Sequence, residues 1–431
     1  MTMKTLLLGA AAGLVTVGAA QAADLPMTKA EAVEYVKVCT EFGAGFFYIP
    51  GTDTCLKIGG QIRADYTFGG FNGNLTNSRV RTNDVVNFGG RAQVTWDART
   101  DTGYGLLRSF IALNGNITDG ASSFSVDKAY IQLGGLTAGY ATSFFDFYAS
   151  DNTIFAGEFD SDHTTNLLAY SAQFGGGFIA TLSVEDAKVY RAGNTFIGTP
   201  GVVAPATAAD TNVVGGVTAP DVVGSLRITQ GWGSAQIMGA VHQVRFGTVS
   251  ESIDPDGAGP LNPTVVGPIS TNETKYGYAV GAGAKFNLPV LGGAVWAIQG
   301  TYAKGATAYT GATTNGLGGT DGYVFTGAPL AVGSTFTYKL ASAWSVASEL
   351  SMTFSPSLSG AIYGSYIDYN APTAAGKASD FKAWQLGGQL TYTIVKDLTV
   401  AGEINYLSVD PGGPGGKNDG FFGGVRFQRN F

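Results

Sequence analysis

The strongest constraint is a two-residue rhythm carried by unusually long runs. From Leu56 one phase reads Leu56, Ile58, Ile62, Ala64, Tyr66 and Phe68, and the other Lys57, Gly59, Gln61, Arg63, Asp65 and Thr67. Val86, Phe88, Ala92, Val94, Trp96 and Ala98 likewise alternate with Asn87, Arg91, Gln93, Thr95, Asp97 and Arg99. Near the end, Trp384, Leu386, Leu390, Tyr392 and Ile394 alternate with Gln385, Gln389, Thr391 and Thr393. Successive side chains point to opposite faces only in a strand. A soluble sandwich also alternates, but its strands run about five or six residues, whereas a tilted membrane strand needs about 9–11. Aromatics gather toward the ends of the apolar phase (Tyr66, Phe68, Phe88, Trp96, Tyr276, Phe286), as an interfacial girdle requires. The pattern predicts a barrel with its apolar phase toward lipid and its polar phase toward a wet lumen.

Connector lengths agree. Sixteen strands are expected near 56–68, 86–99, 103–114, 125–134, 136–142, 166–174, 178–186, 222–230, 234–247, 274–287, 294–305, 338–354, 358–369, 381–394, 398–409 and 420–431, with a possible split of the twelfth within 332–354. Connections after even-numbered strands are short and those after odd-numbered strands longer, the parity of periplasmic turns and extracellular loops. The fold class expected is therefore all-β, a 16-stranded antiparallel transmembrane β-barrel over 56–431. Segments 193–220, 250–273 and 306–335, rich in Gly, Thr, Ala, Pro and Asn, read as solvated surface loops.

Composition supports export and excludes other classes. Glycine is 64 of 431 residues, about twice its usual share, and charged residues are 13%, about half theirs. Lys4, the apolar stretch Leu6–Ala20 and Ala20-Gln21-Ala22 form a cleavable signal peptide over 1–22. Its removal takes one lysine from a chain of net charge −7, leaving −8. That acidity argues against nucleic acid as a partner. Cys39 and Cys55, the only cysteines, read as a disulfide in an oxidising periplasm, within an N-terminal segment spanning 23–55. No later stretch has 18 consecutive apolar residues.

Catalytic signals are lacking. The two histidines, His163 and His242, stand in no nucleophile motif, and no glycine run carries a phosphate-loop lysine. Asp254-Pro255-Asp256-Gly257 lacks the further ligands of a calcium loop. No cofactor, no metal and no enzymatic activity are expected.

Several stretches resemble the general porins of alphaproteobacteria, of the rhizobial and brucella type. They are Asp24-Leu25-Pro26, Val33 to Cys39, Gly43 to Pro50, Cys55-Leu56-Lys57-Ile58, Asp127 to Gln132, Ala343-Trp344-Ser345-Val346, Tyr363-Gly364-Ser365-Tyr366 and the terminal Phe431. The resemblance implies an outer-membrane homotrimer in contact with lipid, inserted by the barrel-assembly machinery through a signal ending at Phe431. It also implies passive diffusion of small hydrophilic solutes and ions; a solute-specific porin with a lumen binding site is the alternative. In such barrels the third long loop, here 143–165, folds inward. Its acids Asp146, Asp151, Glu158, Asp160 and Asp162 would then face Arg63, Arg91, Arg108 and Lys128 on the wall, forming the pore constriction. The net charge favours cations in that reading. The same arginines could instead pair within the wall with Asp65 or Asp97.

Overall fold

A computed structural model describes residues 37–69, 85–118, 120–148, 150–197, 213–253, 264–270, 273–326, 335–372, 380–413 and 416–431. The expected signal peptide, the whole of the 23–36 stretch and the Asp254-Pro255-Asp256-Gly257 stretch lie outside them. Sixteen barrel strands are present among the described residues: β1 Cys55–Phe68, β2 Val86–Thr102, β3 Gly105–Thr118, β4 Ala121–Leu133, β5 Leu136–Thr142, β6 Thr164–Gly175, β7 Phe178–Glu185, β8 Asp221–Gln230, β9 Gly233–Arg245, β10 Thr274–Leu288, β11 Ala294–Lys304, β12 Ser342–Ser355, β13 Leu358–Asn370, β14 Phe381–Val395, β15 Leu398–Pro411 and β16 Asn418–Asn430. Each pairs antiparallel with the next, and β1 pairs with β16 from Gln61↔Asn430 to Phe68↔Gly423, closing the sheet.

The apolar phase faces out. Ile62, Phe88, Ile237, Ile362, Leu386 and Leu390 are each more than half exposed. Two aromatic belts flank them. At the long-loop end, Tyr66 meets Phe88 at 4.9 Å and Tyr406 lies between Trp384 (5.2 Å) and Phe421 (4.8 Å). At the short-turn end, Phe286 lies between Trp232 (5.6 Å) and Trp296 (5.4 Å). Rings with an apolar body suit the two membrane–water boundaries. The short turns need left-handed backbone: Gly175, Gly176 and Gly177 all have positive φ, and a Cβ on Gly177 would fall 2.0 Å from the Thr229 carbonyl oxygen.

Three local departures from strict alternation matter. A register shift between Ala112 and Leu113 on β3 bulges β4 at Asp127. Asp127 therefore reaches the inward amides of Asn114 (3.2 Å) and Gln93 (3.4 Å), and Gln93 continues to Gln61 (3.2 Å), an amide ladder across four strands. The expected twelfth strand is two strands. Phe336–Leu340 leaves the wall and pairs with Gly322–Thr326, which pairs in parallel with Asn194–Ile197. The break falls at Ala341, whose N–H is drawn 3.0 Å from the Asp321 carbonyl. Finally, segment 306–335 is not uniformly a solvated loop: Thr307, Ala308, Tyr309, Thr310 and Ala312 are at most 1% exposed.

That burial reflects an unevenly filled interior. Along β9 to β14 the inward phase carries small residues, including Ala240, Ala279, Ala297, Ala343, Ala361 and Ala383, all buried beneath inserted loop side chains. Gln385, Glu403 and Asn405 are buried as well, whereas Gln389, Thr391, Thr399, Arg426 and Gln428 on β14–β16 and Gln61, Arg63, Arg91 and Gln93 on β1–β2 remain partly accessible, so the water-facing interior is a strip along one side. The segment bearing the Cys39–Cys55 disulfide adds to the short-turn end of that strip. Phe46 packs on two inward-phase side chains, with the Arg99 guanidinium 4.9 Å and the Lys57 ammonium 5.9 Å from its ring. The segment thus lies against the inner wall.

Leu386 stands mid-strand on β14 with 60% exposure, opposite Gly364. Leu386→Arg is expected to cost about 2–4 kcal/mol of membrane-folded stability. The inward Thr393→Arg should stay within about 0.5 kcal/mol. Urea titration in liposomes, followed by heat-modifiable gel mobility, measures both.

Candidate functional site: the inward loop and the wall facing it

The loop between β5 and β6 folds into the barrel and is held by wall carboxylates. At its neck the Ser143 N–H donates to the His163 carbonyl (3.0 Å). Glu185 on β7 accepts the Ser143 hydroxyl (2.7 Å) and the Phe144 N–H (3.1 Å). Glu349 on β12 accepts the Asn152 N–H at 3.1 Å and also its side-chain amide. Glu403 on β15 accepts three successive backbone N–H groups, those of Ile154, Phe155 (3.1 Å) and Ala156 (3.1 Å). Hydrogen bonds to a charged acceptor are worth about 1.5–3 kcal/mol each, so Glu403 is the strongest restraint on the loop's far end. Gln299 and Gln236 add amide contacts, Gln299 accepting the Tyr148 N–H at 3.0 Å. None of Glu185, Glu349, Glu403, Gln236 or Gln299 was singled out from the sequence. The available signal is a glutamate among small or neutral polar inward neighbours: Thr181 and Ser183 before Glu185, Ser345 and Ala347 before Glu349, Ala401 and Asn405 around Glu403.

Aromatic side chains press the loop onto glycines. A Cβ on Gly283 would meet the Phe147 ring at 2.3 Å, and one on Gly424 the Phe155 ring at 2.8 Å. Arg227 lies 5.2 Å above Phe147, and Arg426 5.1 Å from Phe155. A second inserted segment covers the loop from behind. Asn315 donates to the Gly157 carbonyl (2.8 Å), and Tyr309 stacks on Tyr190 at 3.8 Å beside Phe145.

The five loop acids have different surroundings. Asp146 sits at the neck and accepts the His163 N–H (2.8 Å); burial raises its pKa well above the usual carboxyl range. Glu158 is 1% exposed and pushed up to about 8, mainly by burial, with Asp160 and Glu349 adding like charge. Asp160, bonded to the Ser150 hydroxyl at 2.5 Å, is pushed up to about 7, again by burial first. Asp151 and Asp162 are exposed to the lumen. Asp151 forms an ion pair with Lys285, and the Asp162 charge is opposed by Lys128.

Tyr148 makes the protonation problem concrete. Its hydroxyl oxygen lies 2.7 Å from Glu158 Oε2 and 3.2 Å from Glu349 Oε2. One O–H donates to only one carboxylate. Holding both contacts therefore calls for a proton on one of the two acids, consistent with the raised pKa of Glu158.

The four basic wall residues also separate. Arg63 and Arg91 are register partners on β1 and β2. Arg91 Nε donates to Asn116 (2.7 Å), and Arg63 Nε lies 3.4 Å from Asp65, which is held bidentately by Arg426 (2.6 and 3.0 Å). Lys128 follows the β4 bulge toward Asp162. Arg108 belongs to a different group. It pairs with Asp97 (2.8 and 3.0 Å), alongside Arg99, near the short turn after β2. Both histidines are enclosed. His163 packs against Tyr190 at 4.5 Å, and His242 bonds Asp221 at 2.8 Å.

A family profile described as "Porin subfamily" matches residues 24–419. The chain belongs to the porin subfamily. Porin Omp2b of Brucella canis is 35% identical over 254 residues, 54% of this chain and 64% of that protein. Porin Omp2b of Brucella melitensis biotype 1 is 35% identical over 256 residues, with the same shares covered. The chain thus spans just under two thirds of the length of these curated relatives. Among solved structures, the outer membrane channel DcaP of Acinetobacter baumannii superposes with a TM-score of 0.66 over 89% of this chain and 99% of its own, at 15% identity, a likeness of fold. This porin is a multi-pass β-barrel of the outer membrane.

Two outcomes follow for the loop. Removing the triple acceptor by Glu403→Ala frees the N–H groups of residues 154–156 and should raise open-channel current noise several-fold, read in single-channel records. Glu158 and Asp160 have folded pKa values above the ordinary 4.5 and 3.8. Their contribution to docking is therefore complete below about pH 4 and fades as pH rises through 7 to 8. Noise should grow between pH 6 and pH 9 in the wild type and be flat over that range in a Glu158→Gln, Asp160→Asn double variant.

Proposed function

We propose that this porin is a general diffusion channel that lets small hydrophilic solutes and ions cross the outer membrane passively and chemically unchanged. The observation that carries the reading is the water-facing strip of the lumen, bounded on one side by the inward loop and on the other by polar wall residues. A passage lined by amides, hydroxyls and charges replaces part of a solute's hydration without binding it tightly, so entry and exit both stay fast. Asp151 and Asp162 on the loop and Arg63, Arg91 and Lys128 on the wall would border the narrowest section. Asp146, Glu158 and Asp160 would serve the loop's attachment, and Arg108 the rim.

Three copies would form a homotrimer in the lipid. The last strand, alternating outward as Phe421, Val425 and Phe427 to Phe431, would be the signal read by the barrel-assembly machinery. A solute-specific channel is the second reading. It is favoured by a polar recess of about 330 Å³ beneath the loop, whose lining includes Gln389, Thr391, Thr399, Gln428 and Asn430.

Planar-bilayer recording of refolded protein separates these readings. Large open steps closing in thirds, with liposome-swelling rates that fall smoothly with solute mass, are expected for a trimeric general porin. Saturable uptake of one solute would favour the specific channel. A folded barrel without conductance would overturn both.

A further inference from the structure

Arg63 and Arg91 stand directly opposite each other in the β1–β2 register. Like charges at such positions repel, and a wall normally offsets them with interleaved acids. Here the offset is incomplete. The nearest acid, Asp65, stands in ion-pair range of Arg63 at 3.4 Å, but both its oxygens are hydrogen-bonded to a third guanidinium, that of Arg426, so one carboxylate serves two cations. The next, Asp127, has both oxygens on the amides of Asn114 and Gln93. Arg63 Nε is buried and has no hydrogen-bond partner among the described residues. Arg91 donates its Nε–H to Asn116, and its terminal nitrogens make no hydrogen bond among the described residues.

The acids across the lumen do not supply the missing charge. Asp146, Glu158 and Asp160 are engaged inside the loop's attachment, Asp151 is paired with Lys285, and Asp162 is opposed by Lys128. Two guanidinium groups therefore share one stretch of inner wall with donors to spare. A planar fork of N–H groups matches the two oxygens of a carboxylate or the face of a phosphate.

We propose that Arg63 and Arg91 form a weak subsite for the carboxylate or phosphate group of small anionic solutes, so that the lumen favours anions although the chain as a whole is acidic. The subsite rests on the diffusion reading and names the solute class it prefers. An oxyanion bridging the pair relieves the repulsion between the two cations. Exchange with lumen water keeps its stay short.

The test is reversal potential in a KCl gradient, followed by millimolar inorganic phosphate added to symmetric KCl. Wild type should reverse on the anion side and show brief, saturable phosphate blocks. Arg63→Gln and Arg91→Gln, made singly, should move the reversal potential toward cations and raise the half-blocking phosphate concentration about tenfold, the loss of about one charge-assisted hydrogen bond. Arg91→Lys keeps the charge but not the fork, so it should keep the reversal potential while weakening the block. Arg429→Gln, removing an equal charge from the exposed outer rim, should change neither. Normal conductance with a cation-side reversal, phosphate blocks indifferent to both glutamine variants, or equal effects from Arg429→Gln would overturn the subsite and leave the diffusion reading intact. A folded barrel that carries no current would overturn both.

Discussion

Everything in this molecule depends on a ring of backbone hydrogen bonds that has no end. In hydrocarbon an unpaired N–H or C=O costs several kcal/mol, so an open sheet edge is not tolerated. The β1–β16 seam removes the last edge, and the terminal residue joins it: the Phe431 N–H donates to the Gly60 carbonyl and the Gly60 N–H to the Phe431 carbonyl, both at 3.1 Å. Once the wall satisfies itself, its side chains are free to serve two solvents. Outward positions need only be apolar, with rings at the two boundaries. Inward positions can be spent on water, on charge or on docking other parts of the chain.

The inner wall divides those uses by region. Where it carries alanine and glycine, loops enter and pack, with Gln236, Gln299 and Gln385 buried beneath them; where it carries Arg63, Arg91, Gln61 and Gln93, water remains. The wall carboxylates Glu185, Glu349 and Glu403 stand in the packed region. Their work is to receive the backbone N–H groups of an inserted loop that has no regular secondary structure to satisfy them. A buried carboxylate is costly unless it is hydrogen-bonded, and a buried loop is costly for the same reason. Each satisfies the other.

The wall was readable in the sequence because alternation with period two is forced on every strand by the pleat. Strand boundaries such as Leu358–Asn370 and Leu398–Pro411 fall within a residue or two of expectation at most ends. The interior was less readable because inward residues obey no single rule. Ala279 and Arg91 occupy the same phase, yet one lies beneath a loop and the other borders water. Segment 306–335 reads as a polar loop by composition, but Tyr309 and its neighbours are buried because the wall opposite is built from small residues. The charged residues of 143–165 were visible as a cluster. Which of them face water depends on partners such as Tyr148, Ser150 and Lys285, the last 134 positions from the acid it meets. The β4 bulge leaves no mark in the sequence, since it shifts one residue without altering composition.

The anchoring of the inward loop has a consequence for the order of assembly. The loop is made between β5 and β6, early in the chain, but its main restraints come from β12 and β15, among the last strands to be synthesised. Until those strands are in place, the N–H groups of residues 152, 154, 155 and 156 have no carboxylates to meet. Constriction of the passage is therefore a late event that reports a nearly complete wall. A barrel stalled short of β15 would carry its loop undocked, so that the narrow passage is itself a mark of a finished molecule.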